Sequence, residues 1–74
     1  MANYGKHGTI KFDKMWAMME RVHIKKADLR NAGVHANTIS KLVKNENVTT
    51  EVISHLCEIL HCQPSDIMEY VPRN

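Results

Sequence analysis

The sequence predicts an all-α domain of five short helices, with a short extended segment near each end. Three observations carry the prediction. Apolar residues recur at helical spacing between Phe12 and Leu60. The breaks between these stretches fall at Gly33, at Asn45-Glu46-Asn47, at Thr49 and at Pro64, residues that stop or start helices. Finally, 74 residues with 43% hydrophobic and 24% charged content suit one small core and are too few for a barrel or a doubly wound sheet. A chain of this size buries only roughly 60% of its unfolded surface, which leaves a marginal monomer and room for a partner subunit.

Residues 1–8 hold two glycines and little to pack, and read as a flexible arm; residues 9–74 form the domain. Thr9 to Phe12 alternates polar and apolar, a short strand signal. The first helix is expected from Asp13, whose side chain caps it, to about Val22, with Phe12, Met15, Trp16 and Met19 facing the core. The second, about Lys25 to Ala32, is basic and anchored by Leu29. Gly33 breaks it, since glycine enters the left-handed region without steric cost, and Val34 follows as a buried turn residue. The third helix spans about Ala36 to Lys44. A fourth follows the cap Thr49 and carries Val52, Ile53, Leu56, Cys57 and Leu60 on one face until about His61. Pro64 opens a single-turn fifth helix to Met68, and Ile67 to Val71 ends extended. The two extended segments can pair with each other or across a dimer.

The net charge of +2 conceals a strong asymmetry. Arg21, Lys25, Lys26, Arg30, Lys41 and Lys44 face Asp28 alone in the middle of the chain, whereas residues 46–70 carry Glu46, Glu51, Glu58, Asp66 and Glu69 without a lysine or arginine. A basic middle beside an acidic end suggests one face that meets a polyanion.

The third helix shows how. At about 100° per residue from Ala36, Ser40 lies near 40°, Lys44 near 80°, Asn37 near 100° and Lys41 near 140°, while Leu42, Ile39 and Val43 fall near 240°, 300° and 340°. Ile39 and Leu42 pin the helix; the polar, small-residue arc faces outward. A helix entering the DNA major groove needs short residues at its leading end, side chains that donate and accept, and cations near phosphates. Ala36, Asn37, Thr38, Ser40 and Lys41 meet the base-reading need: Asn37 can pair with an adenine edge, the methyls of Ala36 or Thr38 can touch thymine, and Lys41 can reach guanine or a phosphate. Lys44, Asn45 and Asn47 sit where a chain leaving the groove crosses the backbone, and Lys25 and Lys26 open the second helix beside a phosphate.

On these residues the sequence resembles a known family. Phe12-Asp13-Lys14-Met15-Trp16, Lys26-Ala27-Asp28-Leu29-Arg30 and Ala32-Gly33-Val34, leading into Asn37-Thr38-Ile39-Ser40-Lys41-Leu42, are similar to small bacterial helix-turn-helix regulators of the phage Cro and repressor type. The likeness continues through Lys44-Asn45-Glu46-Asn47-Val48, Leu56-Cys57-Glu58-Ile59-Leu60 and Cys62-Gln63-Pro64-Ser65-Asp66-Ile67-Met68-Glu69, and is strongest to the compact branch of Gram-positive bacteria and mobile elements. The resemblance implies a five-helix, lambda-repressor-like domain, often dimeric, that represses or activates transcription. It places base contacts on Ala36, Asn37, Thr38, Ser40 and Lys41, and backbone contacts on the second-helix start and the Lys44–Asn47 loop. Two departures stand out. His35 replaces the usual small hydroxylated cap and can instead bond a phosphate, and Leu29 lies one residue closer to Gly33 than usual, about 100° of rotation.

The expected function is that of a sequence-specific, homodimeric regulator of double-stranded DNA, a repressor in the cytoplasm at the nucleoid. The alternative is a protein-binding module, such as an antitoxin or a partner of another regulator. No targeting segment or membrane span is read, no cofactor or small-molecule ligand is called for, and no nucleophile motif or phosphate loop suggests an enzyme. Cys57, His61 and Cys62 form one cluster where structural zinc sites use two, so no metal is expected. Cys57 and Cys62 are read as unpaired: on one helix they would sit roughly 140° apart.

Overall fold

A computed structural model describes residues 7–73. In chain order the elements are β1 (Thr9–Lys11), α1 (Asp13–Arg21), α2 (Lys26–Asn31), α3 (Ala36–Val43), α4 (Thr50–Leu60), α5 (Pro64–Ile67) and β2 (Glu69–Val71). The strands pair antiparallel within the chain, with Thr9 opposite Val71, Ile10 opposite Tyr70 and Lys11 opposite Glu69. Residues 1–6 of the expected arm lie outside the described residues. Gly8, placed in that arm by sequence, is buried: its N–H donates to the Tyr70 hydroxyl at 3.1 Å, and a Cβ there would collide with Val71 O and Pro72 Cα.

The core runs from Phe12, Met15 and Met19 through Leu29, Val34, Ile39 and Leu42 to Ile53, Leu56 and Ile67. Met15, Leu29, Leu42, Leu56 and Ile67 are fully buried. The methionine-rich first helix is therefore core material, and Trp16 packs half-buried against it. α5 packs on both α1 and α4 and closes one side of the bundle.

The start of α1 differs from expectation. Phe12, not Asp13, is the N-cap, and no side chain of its own caps this end. Asn45, after α3, reaches back so that its Oδ1 accepts from Phe12 N at 3.0 Å. Asp13 sits in the first turn, where its charge suits the helix dipole.

The four longer helices end in the same way. His23, Gly33, Asn45 and His61 adopt left-handed backbone, with φ of 62°, 105°, 57° and 54°. After each, the next residue's N–H returns to the carbonyl five positions earlier: Ile24 to Met19 (2.9 Å), Val34 to Leu29 (2.9 Å), Glu46 to Lys41 (2.8 Å) and Cys62 to Cys57 (3.0 Å). This is the Schellman closure, which satisfies orphan carbonyls and folds the chain back so that the two residues it joins meet side by side. Met19 with Ile24 and Leu29 with Val34 are apolar pairs that pack in or against the core. The close spacing of Leu29 and Gly33 is thus accommodated by a short, six-residue α2 whose last turn closes on Leu29 itself.

Cys57 and Cys62 occupy the same pair of positions at the end of α4. Because Cys62 lies beyond the left-handed His61, helical rotation no longer applies to it, and its N–H returns to Cys57 O at 3.0 Å, which sets the two residues side by side. The expected 140° separation is corrected accordingly. Both cysteines are free and half-buried.

Candidate nucleic-acid interface

α2, the Gly33 corner and α3 form the unit on which the site is built. Gly33 is required by its backbone: φ of 105° is costly for any residue with a Cβ. The corner also sits against the α4 residue His55, whose Cε1 would lie 3.4 Å from a Cβ at Gly33.

α3 begins at His35, whose Nδ1 accepts from Asn37 N at 3.0 Å. The imidazole thus does the work of the missing hydroxyl. An accepting Nδ1 requires the proton on Nε2, which leaves that nitrogen as an exposed donor. His35 was expected to bond a phosphate; the structure gives it a capping task first.

Along α3 the two faces separate cleanly. Ile39 is 6% exposed and Leu42 is fully buried, while Ala36, Asn37, Ser40, Lys41 and Lys44 are exposed. Thr38 is half-buried. It lines a shallow hollow of about 250 Å³ with Lys41, Asn47, Val48, Thr49 and Val52, so Thr38, Lys41 and Asn47 are brought together across the α3–α4 loop. Thr49 caps α4 there, its hydroxyl accepting from Val52 N at 3.2 Å.

One residue departs from the sequence reading, and two others make contacts that the sequence did not show. Val43 was assigned to the inward aliphatic arc but is 48% exposed. It continues the i, i+4, i+7 row Ala36–Ser40–Val43, and that spacing was the available signal. Asn45 was expected at the DNA backbone; its Oδ1 is committed to Phe12, so it joins the loop to α1 and is only half-exposed. Lys26 holds its ammonium 5.5 Å from the Trp16 ring centre, a cation–π contact that fixes one of the two lysines at the start of α2. Lys25 is exposed; its backbone N–H donates to Asp28 Oδ2 at 2.7 Å. Lys25 and Lys26 line a separate hollow with Trp16, Met19 and Ile24.

This arrangement meets its match among known proteins. The family model for the Cro/C1-type helix-turn-helix DNA-binding domain matches residues 14–73. The chain belongs to this Cro/C1-type helix-turn-helix family. Its structure is also similar to a crystal structure of the transcriptional regulator VanUg, with a TM-score of 0.86, 35% sequence identity and 99% of each chain covered. No curated protein matches the chain. As a Cro/C1-type helix-turn-helix domain, the protein is a DNA-binding module. Among the described residues no helix is long and apolar enough to cross a membrane.

Proposed function

We propose that this protein is a sequence-specific transcriptional regulator that lays α3 in the DNA major groove and represses by occupying its operator. One observation carries the reading: Ile39 and Leu42 are buried, Ala36, Asn37, Ser40, Lys41 and Lys44 are exposed, and Thr38 is half-buried. In this reading Ala36, Asn37, Thr38, Ser40 and Lys41 read base edges. Lys44, Asn47, Lys25 and the Nε2 of His35 hold phosphates. Lys26, beside Trp16, and Asn45, whose Nδ2 donor is not used by its bond to Phe12, belong to the same backbone-contact set.

A homodimer is part of the proposal, since one eight-residue helix offers a limited footprint. Ile10 and Tyr70, opposite each other in the strand pair, are 41% and 56% exposed. They border a mainly apolar hollow of about 390 Å³ that reaches Asn45, Glu46, Asn47 and Val48. A second copy seated there would adjoin the loop assigned to the DNA backbone, which suits half-sites about one DNA turn, near 10 base pairs, apart.

The deciding experiment is selection of bound duplexes from a random library, followed by salt titration. Specific binding should yield a two-part site, and log K should fall by about 0.9 per phosphate neutralised against log salt. A flat salt response and no enriched sequence would favour a protein-binding role instead. Repression is checked by transcription in vitro from a template carrying the selected site.

A further inference from the structure

Of the four side-chain pairs that the helix-ending corners bring together, one carries chemistry that DNA binding does not use. We propose that Cys57 and Cys62 form a dithiol site that a low-molecular-weight disulfide oxidises to an intramolecular Cys57–Cys62 disulfide, closing a ring across the end of α4. The geometry follows from the corner. His61 in left-handed backbone turns the chain back, and Cys62 N donates to Cys57 O at 3.0 Å, so the two cysteines stand side by side at the end of α4. A disulfide needs two Cβ atoms facing each other across a short gap. Here the Schellman corner sets the two residues side by side, and the proposal is that side-chain rotation closes the remaining gap.

The chemistry balances with one oxidant molecule. A Cys57 thiolate attacks the reagent's S–S bond, which breaks; one thiol leaves and a mixed disulfide remains on Cys57. Cys62, deprotonated, then attacks the Cys57 sulfur and expels the second thiol. Two protein thiols are oxidised, one small disulfide is reduced to two thiols, and the two protons end on the departing sulfurs. Burial first, then the neighbouring Cys57 and the Asp66 carboxylate, hold the Cys62 thiol above its ordinary value. Closure therefore quickens as pH rises, because only the thiolate attacks. The site is independent of the DNA surface, which lies on α3 and its flanking loops.

The test treats the reduced full chain with oxidised glutathione and follows intact mass and free-thiol content. The expected product has the mass of a single chain less two hydrogens, has lost both free thiols, and is restored by dithiothreitol. Cys57→Ser and Cys62→Ser should each stop at a single glutathione adduct, which shows that the second cysteine resolves the first. The proposal fails if the wild-type chain accumulates one or two stable glutathione adducts or links to another chain. It also fails if both thiols stay unmodified in the folded protein while the urea-unfolded chain reacts. A Cys57→Ser variant that does not fold leaves the wild-type mass, and the Cys62→Ser adduct, to decide.

Discussion

At the scale of single residues, position on α3 decides what each side chain can contribute. Asn37 combines a donor and an acceptor on a short stem and is exposed near the leading end of the helix. Asn37→Ala should relax discrimination at one base position and cost about 1–3 kcal/mol there, read by competition between operator variants. Lys44 lies at the helix's trailing end, where a cation meets phosphate rather than bases. Lys44→Ala should weaken all duplexes alike and lower the salt slope by about one, read by fluorescence anisotropy across salt concentrations. An interchange of these two phenotypes would mean that α3 is rotated on the duplex.

At the scale of elements, capping is where the protein departs from habit. His35 is the N-cap of α3, and its imidazole takes a bond usually given by serine or threonine. His35→Ala should cost about 1 kcal/mol in urea unfolding, and His35→Ser should recover most of it. If phosphate contact is the larger role, serine restores stability but not DNA affinity. The element order was legible in the sequence, with boundaries shifted by one or two residues, because the apolar stripes of α1, α3 and α4 follow helical spacing closely. The left-handed residue itself was legible only at Gly33, although the sequence also ended α3 at the Asn45 run and α4 at about His61. His23, Asn45 and His61 take the same left-handed backbone without glycine's signature, and their partners come from hydrogen bonds that close only in three dimensions. The same blindness hid the Cys57–Cys62 contact and the tie from Asn45 to Phe12, since both cross the point where helical rotation stops applying. On α3 the buried pair Ile39 and Leu42 followed from periodicity. Val43 did not, because an apolar side chain on the rim of an arc faces inward or outward according to what its neighbours cover.

At the scale of the whole molecule, a core of ten buried apolar residues among the described residues is small, and folded domains exceed their unfolded chains by only about 5–15 kcal/mol. Leu42 is fully buried beneath the proposed reading face. Leu42→Ala should cost about 2–5 kcal/mol and leave the domain largely unfolded or barely folded, as followed by circular dichroism during thermal melting. Ile10→Lys addresses assembly instead. Ile10 is 41% exposed on the strand face, so a lysine there should leave the monomer's helical circular dichroism intact and lower the melting temperature only through loss of the dimer. It should abolish concentration-dependent sedimentation and cooperative binding to two half-sites, while leaving affinity for a single half-site intact. Equal sedimentation of wild type and variant would place the dimer contact elsewhere.

The pairing of Thr9 with Val71 joins stretches of chain separated by the entire helical bundle. Closing so long a loop is entropically slow, and the contact that locks it, Gly8 to Tyr70, comes from the same two extremes. A nascent chain can form α1 to α4 as it emerges from the ribosome, but the strand pair must wait until residue 71 is outside. The protein's birth is therefore expected in two steps, a helical bundle first and then a clasp, and a pause before β2 emerges would hold it in the unclasped form.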